Sequence, residues 1–415
     1  MSRCVASWPV GALIVGVMTR AAAAEGAAML GESALPAVDF VEPVEQPVGP
    51  LVIIALLICA AIARPVFTRC RRRSPPADVM PGVPAALGTE PKFSVIIPTF
   101  NRATLVLHAV DSVLAQTYGN FELIVVDDGS TDDTVDRLRR IGDRRLSIVT
   151  ISHGGVSAAR NAGIAVASGA LISFLDSDDL WLPHKLASEV DFLVRHPEVG
   201  VVFGDLEKYD GAQHVGSFMR TTDVFGKRLP SARTDGFVLR PREMYLCLLQ
   251  EVPVKTPATT VRRDVLEAVG RFNERWTSSE DWELLLRLAR VTAFGYIDRP
   301  LAVIRISPDS LHHLDQERGD RAMLHLLAER RREAADAETR QAAARGIVRR
   351  SKHLGWYYID SGRRIEGATT YMRSLLITGE PSLLLRAGAA LVMPRPRFAR
   401  IEGAGQPPRG MRAAR

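Results

Sequence analysis

Two acidic clusters, each set directly after an apolar run that reads as a buried strand, hold the side chains of this sequence best suited to chemistry. Phe121-Glu122-Leu123-Ile124-Val125-Val126 leads into Asp127-Asp128-Gly129-Ser130, and Ala170-Leu171-Ile172-Ser173-Phe174-Leu175 leads into Asp176-Ser177-Asp178-Asp179. Carboxylates crowded at the carboxyl ends of neighbouring parallel strands repel one another, so a fold keeps them there when a cation or polar ligand fills the space between. The chemistry this implies is a metal-assisted site for a phosphorylated ligand. Taken singly, Asp127 to Thr131 also fits a capped strand-to-helix turn, and Asp176 to Asp179 a solvated loop capping the next helix. Glu280-Asp281 precedes the periodic run Trp282, Leu285, Leu286 and Leu288, where acidic residues also simply favour a helix N-terminus.

The elements that must position these residues alternate in type. Phe93 to Ile97 reads as a strand ending at Pro98, and a helix follows to about Gln116 with Val106, Val110 and Val113 on one face. Then come strand Phe121 to Val126, helix Thr131 to Ile141 with a capping-box spacing of Ser130 and Asp133, and strand Leu146 to Ile151. Helix Val156 to Ala167, strand Ala170 to Leu175 and helix His184 to Arg195 complete the run. Such repetition predicts an α/β fold with a mostly parallel sheet covered on both faces, and a ligand beyond the carboxyl ends of its strands. Past Gln316, runs rich in Ala, Arg and Glu to Arg350, then His353 to Leu376 and Leu383 to Met393, predict helical hairpins. Trp181 and Trp282 read as packing residues.

With 415 residues, 47% hydrophobic and 24% charged, the chain has room for one sizeable domain plus extensions. Lys and Arg (53) exceed Asp and Glu (47), yet no interleaved aromatic-basic motif accompanies them, so nucleic acid is not an expected partner. Cys4, Cys59, Cys70 and Cys247 lack metal-like spacing. Residues 1–24 fit a signal peptide or first membrane span, and 25–50 an acidic extracytoplasmic segment holding Glu25, Glu32, Asp39, Glu42 and Glu45. Residues 51–68 read as a transmembrane helix, with Arg64, Arg69 and Arg71 to Arg73 marking its cytoplasmic side. Residues 69–92 form a Pro-rich tether, so the domain that begins at Phe93 is expected in the cytoplasm at a bacterial-type inner membrane.

Five pieces in order carry a resemblance. Ser94-Val95-Ile96-Ile97-Pro98-Thr99-Phe100-Asn101-Arg102 with Leu114-Ala115-Gln116-Thr117-Tyr118, then Val126 to Asp132, then Gly155-Val156-Ser157-Ala158-Ala159-Arg160-Asn161-Ala162-Gly163, then Phe174 to Asp179, then Ser279-Glu280-Asp281-Trp282-Glu283 resemble family 2 glycosyltransferases. The match covers about Phe93 to Ser307, within a domain taken as 93–314 and followed by a helical extension, 315–415. The resemblance implies a GT-A (Rossmann-like) fold that binds a nucleotide-diphosphate sugar, usually a UDP-sugar, and transfers the sugar with inversion. It implies that Pro98, Thr99 and Asn101 line the nucleotide pocket, that Asp128 accepts a hydrogen bond from the base, and that Arg160 lies near the diphosphate. Asp176 and Asp178 would form the Asp-x-Asp motif, with Asp178 a direct ligand of Mg²⁺ or Mn²⁺, and Asp281 would be the general base. His312 and His313 fall where related enzymes sometimes contact metal or phosphate.

The expected acceptor is a cell-envelope polysaccharide or a lipid-linked glycan. The stretch from Asp205 to Thr256, where acceptor recognition belongs, follows no family pattern. A divalent cation suits the charge that develops on a departing nucleoside diphosphate, and one carboxylate suffices to deprotonate the acceptor hydroxyl in a direct displacement. Two other classes fit parts of the sequence: a catalytically silent sugar-nucleotide scaffold, and a phosphoacceptor signalling domain. The latter keeps an acidic pair after its first strand, whereas here that strand ends in Pro98-Thr99.

Overall fold

The computed structural model describes residues 84, 87–209, 214–306 and 316–392. The apolar runs within 1–68, most of the tether, and His312 and His313 lie outside the described residues. No described helix is long and apolar enough to cross a membrane. The chain divides into two compact units, with the boundary between Tyr357 and Tyr358.

In the larger unit, β1 (Phe93–Thr99), α1 (Leu105–Leu114), β2 (Phe121–Asp127), α2 (Thr134–Arg139), β3 (Leu146–Thr150), α3 (Val156–Val166) and β4 (Leu171–Phe174) follow in sequence. Next come β5 (Leu180–Trp181), α4 (Lys185–Arg195), β6 (Val199–Tyr209), β7 (His214–Val215), β8 (Phe237–Leu239), α5 (Pro241–Leu248) and β9 (Thr259–Arg262). Then α6 (Arg263–Val269), α7 (Glu280–Leu288), β10 (Ala293–Arg305), α8 (Gln316–Glu333) and α9 (Ala337–Asp360) close the unit, α9 as far as Tyr357. The strand order is β3-β2-β1-β4-β9-β6-β10-β5, with β7 on β6 and β8 on β10. Pairing is parallel from β3 to β4 and between β6 and β10, while β9, β5, β7 and β8 pair antiparallel, so the sheet is mixed with its longest ladders parallel.

Burial follows the apolar pattern. All seven residues of β1 are buried, and the Val106, Val110 and Val113 face of α1 is fully covered together with Ala109. Each such aliphatic side chain contributes about 1.5–3 kcal/mol. Gly163 lets α3 press onto β1, because a Cβ there would stand 2.5 Å from Ile96 Cγ2. Trp181 and Trp282 are buried packing residues whose indoles donate to the carbonyls of Pro257 and Leu248.

Three local expectations change. The acidic clusters end β2 and β4, which are not neighbours: β1 lies between them, because strand addition reverses after β3 and places β4 on the other side of β1. That reversal opens a crevice at the carboxyl ends of β1 and β4, the place where ligands enter open α/β sheets. No capping box forms at α2, which begins at Thr134. Ser130 Oγ instead accepts from the Asn101 amide at 2.9 Å, and Asp132 Oδ1 accepts from the Thr134 amide at 3.0 Å. The run His353 to Leu376 is two helices, broken by a turn at Gly362, whose φ of +81° suits glycine.

The smaller unit's described part holds α10 (Arg364–Thr378) and α11 (Ser382–Val392), which pack on each other around Tyr371, Ala368, Leu383 and Ala387.

Candidate functional site

Where β1 outlasts β4, its end becomes a ligand wall. The β1–β4 ladder stops at Ile96↔Phe174, so the missing amide hydrogen of Pro98 costs no ladder bond. Thr99 follows, 3% exposed, and its Oγ1 is buried with no partner among the described residues. A buried hydroxyl without a partner is costly unless a ligand or water supplies one. Asn101 adopts a left-handed conformation (φ 49°), and its Oδ1 accepts from the Thr131 amide at 2.8 Å, tying the turn after β1 to the turn after β2. Asp128 is buried beside it. Its carboxylate accepts from the Gly154 and Gly155 amides at 2.7 and 2.9 Å and faces His153 Nδ1 at 2.9 Å. It thereby clamps the loop into α3, where Gly155 takes φ +86°.

Arg160 links the acidic turn after β4 to the start of α7. The first turns of α3 place it over the crevice, 4% exposed, where Nη2 donates to Asp176 Oδ1 at 2.8 Å and Nη1 to Glu280 Oε1 at 2.7 Å. Burial opposes its charge, but Asp176 and Glu280 outweigh that and hold its pKa above the ordinary arginine value. Arg102, from the turn after β1, donates to Asp178 Oδ2 at 2.8 Å. Burial, and then the charges of Asp176 and Asp178, push the Asp179 carboxyl well above the usual range. Arg305, at the end of β10, fixes this loop: its amide donates to Asp179 Oδ1 at 3.1 Å and its Nε to the Asp178 carbonyl at 2.5 Å.

Asp281 stands one residue past Glu280 at the start of α7, after Ser279 in a left-handed conformation (φ 61°). Its Oδ1 accepts from the Trp282 amide at 2.7 Å, while Oδ2 lies 3.4 Å from Thr256 Oγ1. Glu280 is directed to Arg160, Asp281 to Thr256 and its neighbour Lys255. Burial and the adjacent Asp281 push Glu280 up against the pull of Arg160.

The stretch without a family pattern is organised by two buried acids. Asp298 receives Arg220 Nη2 at 3.0 Å and the Thr234 amide at 3.0 Å. Glu251 receives the amides of Asp223, Val224 and Phe225 at 2.9, 2.8 and 3.0 Å, with Arg349 of α9 at 3.1 Å.

Arg102 ties Asp178 to the turn after β1 and Arg160 ties Asp176 to Glu280 beside Asp281, so Pro98, Thr99, Asn101, Arg160, Asp176, Asp178 and Asp281 are the candidates at the carboxyl ends of β1 and β4, with Asp128 bracing the loop into α3. Arg102 and Arg305 also bond the acidic turn, a role that sequence reasoning passed over. Arg102 ends the Thr99-Phe100-Asn101-Arg102 run, which was its only signal, and nothing in the sequence joins Arg305 to Asp178. No group of three or more His, Cys, Asp or Glu among the described residues is assembled around a metal position. The donors nevertheless fit a hard cation, which takes carboxylate oxygens and completes its shell with water and phosphate. The crowding that already drives Asp179 toward its neutral form is the strain a cation relieves.

Residues 94–270 match the family model for glycosyl transferase family 2, and this segment is a domain of that family. The fold it shares is GT-A. An uncharacterized glycosyltransferase of Rickettsia felis is 31% identical over 239 residues, 57% of this chain and 36% of the relative. The chain thus spans about a third of that relative's length. UDP-Glc:alpha-D-GlcNAc-diphosphoundecaprenol beta-1,3-glucosyltransferase WfgD of Escherichia coli is 35% identical over 137 residues, 33% of this chain and 54% of that protein. Among solved structures, S. aureus TarS 1-349 in complex with UDP-GlcNAc is 19% identical with a TM-score of 0.54, covering 72% of this chain and 87% of that one. At that identity the likeness is one of fold.

Proposed function

We propose that this chain is an inverting glycosyltransferase that moves a sugar from a UDP-sugar to a lipid-linked or cell-envelope acceptor, tethered by its N-terminal segments to a bacterial-type inner membrane with the folded unit cytoplasmic. The observation that carries it is the Arg160 bridge, which draws the acidic turn after β4 and the Glu280-Asp281 pair, distant in sequence, onto the head of β1. Relatives whose names specify UDP-glucose and a diphosphoundecaprenol-linked acceptor support both the donor and the acceptor class.

Each residue then has a task. The buried Thr99 hydroxyl and the turn held by Asn101 receive the nucleoside end, and Asp128 lies at the base of that pocket, where it would accept from the nucleobase. Arg102 and Arg160 supply positive charge beside the diphosphate. Asp178 and Asp176 would hold Mg²⁺ or Mn²⁺, which stabilises charge on the leaving diphosphate when bound. Asp281 takes the acceptor hydroxyl's proton as that oxygen bonds to the anomeric carbon and the bond from that carbon to the diphosphate oxygen breaks. The Trp282 amide fixes one Asp281 oxygen, and the other, which accepts only the long contact from Thr256 Oγ1 at 3.4 Å, is the one to act.

A panel of nucleotide sugars, with and without Mn²⁺ or Mg²⁺, read by nucleotide release and by protection against heat, tests the donor. Asp281→Asn is expected to lower kcat about 10²–10⁴-fold while UDP still protects. Transfer at the wild-type rate would refute the mechanism, and protection without release across the panel would favour a silent binder.

A further inference from the structure

Asp281 separates two charged environments. On one side lie Glu280, Arg160 and the acidic turn. On the other, Lys208 from the end of β6 and Lys255 before β9 share a single aromatic ring: their Nζ atoms stand 5.0 and 5.4 Å from the centroid of Phe218. Phe218 is seated there by its amide, which donates to the Leu206 carbonyl at 3.0 Å. Among the described residues neither ammonium has an ion-pair partner within reach. Two half-buried cations on one ring repel each other, and ring attraction repays only part of the desolvation.

The charges that act on Lys255 are Asp281, Arg350, Lys208 and Glu251. Glu251 is committed to three amides and Arg349, and Arg350 is held by Asp320 at 2.9 Å. Among the described residues that act on Lys255, Asp281 is then the acid left to balance it, and it must be free to take a proton. Among the described residues, Lys255 therefore has no dedicated anion and Lys208 beside it forms no ion pair.

We propose that Lys208 and Lys255 bind a phosphate or diphosphate group of the acceptor, holding it on the side of Asp281 away from the donor. This rests on the glycosyltransferase reading above. The donor diphosphate has its own cations in Arg102 and Arg160, so the lysine pair serves a second anionic group. An acceptor sugar joined through diphosphate to a prenyl chain has that group one sugar ring away from the hydroxyl that attacks.

The test uses the full-length protein saturated with UDP, so that the donor site is filled, and calorimetric titration with citronellyl diphosphate, inorganic pyrophosphate and citronellol. Citronellyl diphosphate is expected to bind, at least about tenfold more weakly to the double variant Lys208→Gln/Lys255→Gln, with Lys255→Arg close to wild type. Heat protection by UDP is expected to be the same in all variants, which shows that they fold. Citronellyl diphosphate tighter than pyrophosphate upholds a lipid-linked acceptor, and equal affinity upholds the phosphate site with a soluble or polymeric one. Absence of diphosphate binding, equal binding to wild type and double variant, or citronellol binding as tightly as its diphosphate would overturn the proposal. Failure of UDP to protect would instead count against the donor reading.

Discussion

Arg160→Met asks most directly whether the bridge between the acidic turn and α7 is what holds the site. Of its two partners, Glu280 is 11% exposed and Asp176 is 34% exposed. Deleting the guanidinium strands a buried carboxylate at Glu280, which costs about 3–5 kcal/mol, whereas Asp176 can be rehydrated and adds less than about 1 kcal/mol. At about 2–4 °C per kcal/mol for a unit of this size, the melting midpoint should fall by about 6–20 °C. The pH dependence is signed. Burial and Asp281 already raise Glu280 above its usual 4.5, and loss of Arg160 raises it further. A carboxyl raised in the folded state contributes stability below its unfolded pKa and loses it as pH rises through the folded one, so the deficit should be larger at pH 8 than at pH 5. Arg160→Met/Glu280→Gln should recover much of the loss, since no buried charge is then unpaired. Differential scanning of the wild type, the single variant and the double variant at both pH values decides the matter. A deficit under about 1 kcal/mol, equal at both pH values, and with no recovery in the double variant, would refute the reasoning.

The remaining perturbations probe the scaffold. Lys185 and Glu189 form an ion pair at 2.8 Å with both side chains fully buried, and Thr260 Oγ1 donates to Glu189. Glu189→Gln should cost about 3–5 kcal/mol, while Lys185→Met/Glu189→Leu should lie near wild type in a denaturant titration. Burial alone would raise Glu122, but hydrogen bonds from Ser94, the Ser168 amide and Lys92 outweigh it and hold the carboxyl at about 2. Its contribution is therefore present above the usual 4.5 and lost as pH falls through about 2, so the deficit of Glu122→Gln, about 2 kcal/mol at pH 7, should vanish near pH 2.

What was legible in the sequence was local. β1, β2 and β4 announce themselves because their residues are buried on both faces, and the helices between them repeat at 3–4 residues. The turns after β1, β2 and β4 carry their function in consecutive residues, so the sequence alone places Thr99, Asn101, Asp176 and Asp178 on one side of a sheet. Strand order was not legible: that β1 separates the two acidic clusters depends on which side of β1 the crossover lands. The failed capping box at Ser130 shows the same limit at short range. The spacing was right, but Asn101, brought in by β1, took the hydroxyl that would have capped α2.

The acceptor wall was illegible for a further reason, which bears on where specificity resides. The segment matching the family ends at residue 270, yet Glu280 and Asp281, Arg305 against the acidic turn, and Arg349 against Glu251 all come from beyond it. Glu251 holds three consecutive amides in one loop, and Gly346 lets α9 approach so closely that a Cβ would lie 2.0 Å from the Leu249 carbonyl. The loop of Asp223 to Phe225, which follows Phe218 in sequence, is thus braced by a helix from beyond the matched segment. The turns of the proposed donor cradle lie within the matched segment, braced from beyond it by Glu280 and Arg305, whereas the proposed acceptor wall depends on contacts between residues about 100 positions apart, such as Glu251 and Arg349. On the proposed reading, sequence change in α9 therefore reshapes the acceptor side while the turns of the donor cradle stay as they are.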